Sequence, residues 1–102
     1  MSKFKSKLEN PDSDYLCRAI LSLESKEECY RLFEDIFTIN EVKSIEQRLQ
    51  VAKMLKEKKT YTDIVLKTGA STATISRVNR CVHYGSDGYN IVFDRLFKED
   101  EK

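Results

Sequence analysis

Glycine and proline are scarce in this chain, with three glycines and one proline in 102 residues. No stretch of it alternates apolar and polar residues between turn formers, so strands are not expected. Long apolar runs are also missing. None approaches the roughly 20 residues that span a bilayer, and no membrane partner is expected. Histidine occurs once, as His83, with only Cys81 near it, which leaves no clustered ligand set for a metal. Cys17, Cys29 and Cys81 are odd in number and widely spaced, each within an apolar-periodic stretch. That pattern predicts three reduced core thiols in a cytoplasmic protein rather than a disulfide framework. The basic opening, Met1–Lys7, runs into Glu9, Asn10 and Pro11 instead of an apolar stretch, unlike a signal peptide. No nucleophile stands beside a base and no acid–base pair lies in an apolar setting, so neither an enzyme nor a cofactor is expected.

What is present is a structured composition, 40% hydrophobic and 34% charged, of a length suited to one domain. The expected organisation is a flexible basic tail over 1–10, a helical domain over 11–98 and a charged end over 99–102. Six helices are predicted. Asp12 or Ser13 caps the first, which runs to about Leu23. Its wide apolar face holds Tyr15, Leu16, Ala19, Ile20 and Leu23, with Cys17 and Leu21 opposite, so it needs two surfaces to pack against. Ser25-Lys26-Glu27-Glu28 reads as a capping box opening a second helix that buries Cys29, Leu32, Phe33, Ile36 and Phe37. Thr38-Ile39-Asn40-Glu41 repeats the pattern and opens a long third helix to about Lys58. Val42, Ile45 and Leu49 line its first half, and Val51, Ala52, Met54 and Leu55 surround its second. A short fourth helix follows Thr60 and stops at Gly69, and a fifth runs from a Ser71 cap to about Tyr84. After a turn over Gly85–Gly88, the sixth helix presents Tyr89, Val92, Phe93, Leu96 and Phe97 on one face, with Ile91 opposite.

The segment at about 60–80 has the pattern of a helix-turn-helix. Ile64 and Val65 anchor one helix, Gly69 makes the turn, Ala70 packs inside it, and Ile75 and Val78 anchor the next helix. Between those anchors the side chains are short or polar: Ser71, Thr72, Ala73, Thr74, Ser76, Arg77 and Asn79. Small hydroxyl and methyl groups let a helix end approach base edges in the major groove, and the amides of Ser71–Ala73 suit a phosphate oxygen. Tyr61, Thr62 and Arg80 complete the candidate DNA-binding set. Charge agrees with this reading. Residues 1–42 carry a net −3, residues 43–83 a net +6 and residues 84–102 a net −2, so the anionic partner, double-stranded DNA, belongs to the middle.

With Gly69-Ala70-Ser71-Thr72-Ala73-Thr74-Ile75-Ser76-Arg77, with Gln47-Arg48-Leu49 and with this helix order, the chain resembles the tryptophan repressor family. It resembles most closely the YerC/YecD relatives found in bacteria related to Bacillus. The resemblance implies an all-α, six-helix fold and an intertwined homodimer built from the first three helices and the last. It also implies a transcription regulator, a repressor, that binds its operator through the fourth and fifth helices. It further implies a candidate effector pocket at Thr38, Arg48, Arg77, Val78 and Cys81, where two guanidinium planes would hold a small-molecule co-repressor. Val78 stands where the repressor has glycine and Cys81 where it has serine, so tryptophan is not the expected ligand. Arg48 and Arg77 then also fit structural or phosphate-contacting roles. A ligand-sensing or protein-interaction module that has lost operator binding is the alternative reading.

Overall fold

Six α-helices carry the regular structure of residues 4–101, the part of the chain that the computed structural model describes, and no strand occurs among them. The chain divides after Phe37 into two compact units.

The first unit holds α1 (Pro11–Leu21) and α2 (Lys26–Ile36). The cap of α1 is Asn10, not Asp12 or Ser13: its Oδ1 accepts the Ser13 amide at 2.8 Å. Pro11 then fills the first helical position, where its fixed φ suits the helix and its missing N–H is no loss. The helix ends at Leu21, two residues short of the expected Leu23. Ser25 caps α2 by accepting the Glu28 amide at 3.1 Å, but the Glu28 carboxylate reaches past Ser25 to the Glu24 amide at 2.9 Å. No residue of either helix is fully buried. Ala19, Leu23, Cys29, Leu32, Phe33 and Phe37 are half-buried, with the Phe33 and Phe37 rings 5.8 Å apart. Tyr15, Leu16, Ile20 and Ile36, expected inside, are exposed. The thiol expectation also needs correcting, because Cys17 and Cys81 are exposed and Cys29 is half-buried.

The second unit holds α3 (Ile39–Lys56), α4 (Tyr61–Thr68), α5 (Thr72–Tyr84) and α6 (Gly88–Asp100). Thr38 opens α3 with a complete capping box. It accepts the Glu41 amide at 3.2 Å and donates its own amide to the Glu41 carboxylate at 2.8 Å. The helix stops at Lys56 rather than Lys58. Lys58 turns into the left-handed region (φ 65°), and the Lys58 and Lys59 amides donate back to the Leu55 and Met54 carbonyls. The turn before α6 is one residue shorter than expected, because Gly88 is already helical.

α3 packs against α4, α5 and α6, and α5 touches both α4 and α6. Val51 and Ala52 of α3, Ile64 of α4, Ala70, Ile75, Val78 and Val82 around α5, and Phe93 of α6 form one buried cluster. Met54, Leu55, Val65, Tyr89 and Phe97 pack against it half-buried. Val92 and Leu96, assigned from sequence to the inner face of α6, are exposed, as are Ile45 and Leu49 on the first half of α3. The all-α, six-helix architecture is the one the sequence implies.

Candidate nucleic-acid interface

The α4–turn–α5 segment is fixed by bonds that close each helix end. Thr60 caps α4 through the Asp63 amide at 3.1 Å. At its other end the Thr68 hydroxyl donates to the Ile64 carbonyl (2.7 Å) and accepts the Ala70 amide (3.1 Å). The Gln47 side chain of α3 donates to the Thr68 carbonyl at 3.2 Å. Gly69 adopts φ 72°, a left-handed turn that a Cβ would disfavour, although nothing lies within 4 Å of where one would sit. Ser71 caps α5: its hydroxyl accepts the Thr74 amide and lies 3.1 Å from the Thr74 hydroxyl.

Ile75, Val78 and Val82 recur at spacings of three and four and turn one side of α5 into the core. At about 3.6 residues per turn, the opposite side carries Ala73, Ser76, Arg77 and Arg80, and all four are exposed. Thr72, exposed, and Asn79, half-buried, lie on one flank; Thr74, half-buried, and Cys81, exposed, lie on the other. Tyr61 and Thr62 are exposed in the first turn of α4, and Ser71 is exposed ahead of α5. The first turn of α5 contains no acidic side chain, so the positive end of its dipole is uncompensated.

Behind this surface lies a cavity of about 150 Å³ lined by Arg48 of α3, Thr74, Arg77, Val78 and Cys81 of α5, and Tyr89 of α6. The structure thus brings together four of the five candidate effector residues. Thr38 is not among the lining residues: it caps the start of α3, ten positions before Arg48, about 15 Å along the helix axis. Tyr89 is the lining residue that sequence reasoning missed as part of a site, having read it only as core. The signal was its place one turn ahead of Phe93 on the inner face of α6. Burial raises the Tyr89 phenol above its usual value and the nearby Cys81 adds to this, while Arg48 and Arg77 act in the opposite sense. A second hollow, about 400 Å³, is lined by Glu27, Tyr30, Arg31, Glu34 and Asp35 of α2 alone, a row along one helix rather than an enclosure. Among the described residues no cluster of ligating side chains could hold a metal, and no helix is long and apolar enough to cross a membrane.

The family model for the Trp repressor protein matches residues 12–97, a span that includes the whole α4–turn–α5 segment. The chain belongs to the Trp repressor family. That family consists generally of DNA-binding regulators rather than enzymes. The chain is 56% identical over 95 residues to the uncharacterized protein YerC of Bacillus subtilis (strain 168), covering 93% of this chain and 90% of that one. A crystal structure of a TrpR-like protein from Eubacterium eligens superposes with a TM-score of 0.85 at 59% identity, covering 88% of this chain and 93% of the other. A Staphylococcus aureus protein described provisionally as a Trp repressor does so with 0.84 at 52% identity, covering 88% and 90%.

Proposed function

We propose that this member of the family is a sequence-specific transcription regulator, a repressor, that works in the cytoplasm as a homodimer and reads double-stranded DNA with α5. The observation that carries the reading is the outer face of α5. Its N-terminal turns expose Thr72, Ala73, Ser76 and Arg77 on a helix whose opposite side is anchored by Ile75 and Val78. Small groups at the leading end admit the helix to a major groove, and Arg77 and Arg80 supply base or phosphate contacts farther along. Tyr61, Thr62 and Ser71 stand at the helix ends, where flanking phosphates are met. Selection of genomic fragments with the purified protein tests this directly, followed by titration of the recovered site at several salt concentrations. Recovery of one motif, with affinity falling steeply as salt rises, is expected. Failure to enrich any sequence overturns the reading.

The homodimer is supported by the first unit. Tyr15, Leu16, Ile20, Leu21 and Ile36 expose apolar surface on two helices that bury no residue of their own, and such faces call for cover by another chain. Sedimentation at micromolar concentration should give twice the chain mass; a folded monomer contradicts the proposal.

A further inference from the structure

Among the described residues, two side-chain hydrogen bonds join α4 and α5 to the helices they pack on, and each ends on a carbonyl near the C-terminal end of a helix. One is the bond from Gln47 to the Thr68 carbonyl, which closes α4. The other comes from α6, where the Asn90 side-chain nitrogen donates to the Val82 carbonyl at 3.0 Å. Val82 lies in the last turn of α5, where carbonyls have no partner within their own helix, and the amide of Gly85 goes to Cys81 instead.

The Asn90 amide can sit only one way round. Its Oδ1 accepts from the Lys56 ammonium at 2.9 Å, and its nitrogen also donates to an Asp87 carboxylate oxygen at 3.2 Å. An ammonium only donates, while a carbonyl and a carboxylate only accept, so these neighbours dictate which end of the amide faces which. Asp87 holds the cap position of α6 yet makes no cap bond with its side chain, because its carboxylate is turned to Asn90. A cation at the oxygen and a carboxylate at the nitrogen both strengthen the bonds of the amide. Lys56 and Asn90 are half-buried, which limits competition from water. Ile75 and Val78 hold α5 against the core, but apolar contact has no direction, whereas a hydrogen bond near the helix end does. Thr72 lies ten residues from Val82, about 15 Å along the axis. A tilt of about 5° at Val82 thus moves Thr72 by about 1.3 Å, more than the roughly 0.5 Å over which a hydrogen bond keeps its length.

We propose that Asn90 is a positioning residue for the recognition helix: its amide, oriented by Lys56 and Asp87, pins the C-terminal end of α5 to α3 and α6 and so sets the angle at which the leading end of α5 meets DNA. Lys56 then differs from Lys58 and Lys59, because its charge is spent inside the fold. The pin belongs to the fold, whereas its consequence for DNA rests on the function proposed above.

The test compares Asn90→Ala, Lys56→Met and Lys56→Arg in the full chain. Lys56→Met keeps the apolar stem and drops the ammonium, whereas Lys56→Arg keeps a cationic donor. In Asn90→Ala, amide hydrogens of residues 79–85 should exchange about tenfold faster, while those of α4 change little. Unchanged exchange there, or acceleration spread evenly over all helices, overturns the pin. In magnetic resonance spectra the Asn90 side-chain amide pair should stand apart from solvent-exposed asparagines. It should move toward them in Lys56→Met and hold its place in Lys56→Arg; an unmoved pair in Lys56→Met overturns the orienting role of Lys56. For DNA the readout is the ratio of affinities for selected and random duplex, because loss of diffuse charge lowers both alike. Asn90→Ala and Lys56→Met should lower that ratio about three- to tenfold, and Lys56→Arg should keep it. Glu41→Gln, which loosens the start of α3 away from the pin, should also keep it, so that lost stability alone does not move the readout. A wild-type ratio in Asn90→Ala, or an equal loss in Glu41→Gln, overturns the positioning role. If the wild type shows no sequence preference, the proposed function fails, and the exchange and resonance measurements still decide the pin.

Discussion

Gln47 and Thr68 meet across 21 residues of sequence: the Gln47 side-chain amide donates to the Thr68 carbonyl at 3.2 Å, partly shielded from water. α3 thereby closes the C-terminal end of α4, where a helix has carbonyls without partners of its own. Replacing Gln47 with Ala should cost about 1 kcal/mol, the usual worth of a partly buried hydrogen bond. Urea denaturation should show this as a lower midpoint with an unchanged slope. A midpoint equal to that of the wild type would mean that water replaces the bond without loss.

Gly69 and Gly85 should respond differently to alanine. At Gly69 the only obstacle is backbone conformation, φ 72° with open space around a new Cβ, so Gly69→Ala should cost about 1–2 kcal/mol. At Gly85 a Cβ would collide with the carbonyl of Cys81, a backbone atom that cannot swing away. Gly85→Ala should therefore be the more damaging of the two by thermal melting. The reverse order would refute this account of both turns.

The capping box at the start of α3 makes stability depend on acid. The Thr38 backbone and hydroxyl bonds hold the Glu41 carboxyl below its ordinary 4.5, outweighing a small opposing effect of burial. A depressed folded-state value means the contribution is present above pH 4.5 and is lost as pH falls through the lowered value. The melting difference between wild type and Glu41→Gln should thus be widest near about pH 6 and shrink toward about pH 3. A difference constant across that range would assign the effect to packing instead.

The parts of this fold that are legible in the sequence are those specified locally. Thr38, Thr60 and Ser71 cap their helices as read, and Gly69 ends α4, because a cap needs only a side-chain oxygen and the next three residues. Asn10 is missed when the cap is placed at Asp12 or Ser13, while Pro11 is what marks the boundary. Burial is less legible. Ile45, Leu49, Val92 and Leu96 follow helical periodicity and are exposed all the same, because periodicity reports an apolar face without saying what covers it. The cysteines fail for the same reason. Family resemblance puts Arg48, Arg77, Val78 and Cys81 together, and Tyr89 joins them from a different helix that spacing alone cannot bring near.

Tryptophan should not bind. Val78 is 3% exposed and closes the wall of a cavity of about 150 Å³, below the roughly 300–1,000 Å³ of ordinary ligand sites. Calorimetry with the wild type should show no saturable micromolar binding, and DNA affinity should be indifferent to the amino acid. Val78→Gly should open room for the ring and gain binding, while stability falls by roughly 2–4 kcal/mol from poorer packing and a glycine inside a helix. Micromolar binding by the wild type would contradict the steric argument.

The outward face of α5 should separate specificity from bulk attraction. Ala73 is exposed opposite Ile75 and Val78, so Ala73→Leu should leave the fold intact while abolishing or changing the selected DNA sequence. Thr72→Ala, if it removes one hydrogen bond to a base, should cost about 1–3 kcal/mol on the preferred site and far less on random duplex. Lys58 and Lys59, exposed in the turn ahead of α4, offer charge without a base-reading position. Replacing either with Ala should weaken all sequences about equally and lower the salt slope by about one for each phosphate no longer neutralised. The discriminating comparison is the ratio of affinities for selected and random DNA. Ala73→Leu and Thr72→Ala should collapse that ratio, and the lysine variants should preserve it. If the two α5 variants keep the wild-type ratio, α5 is not the reading helix and the recognition surface lies elsewhere on the chain.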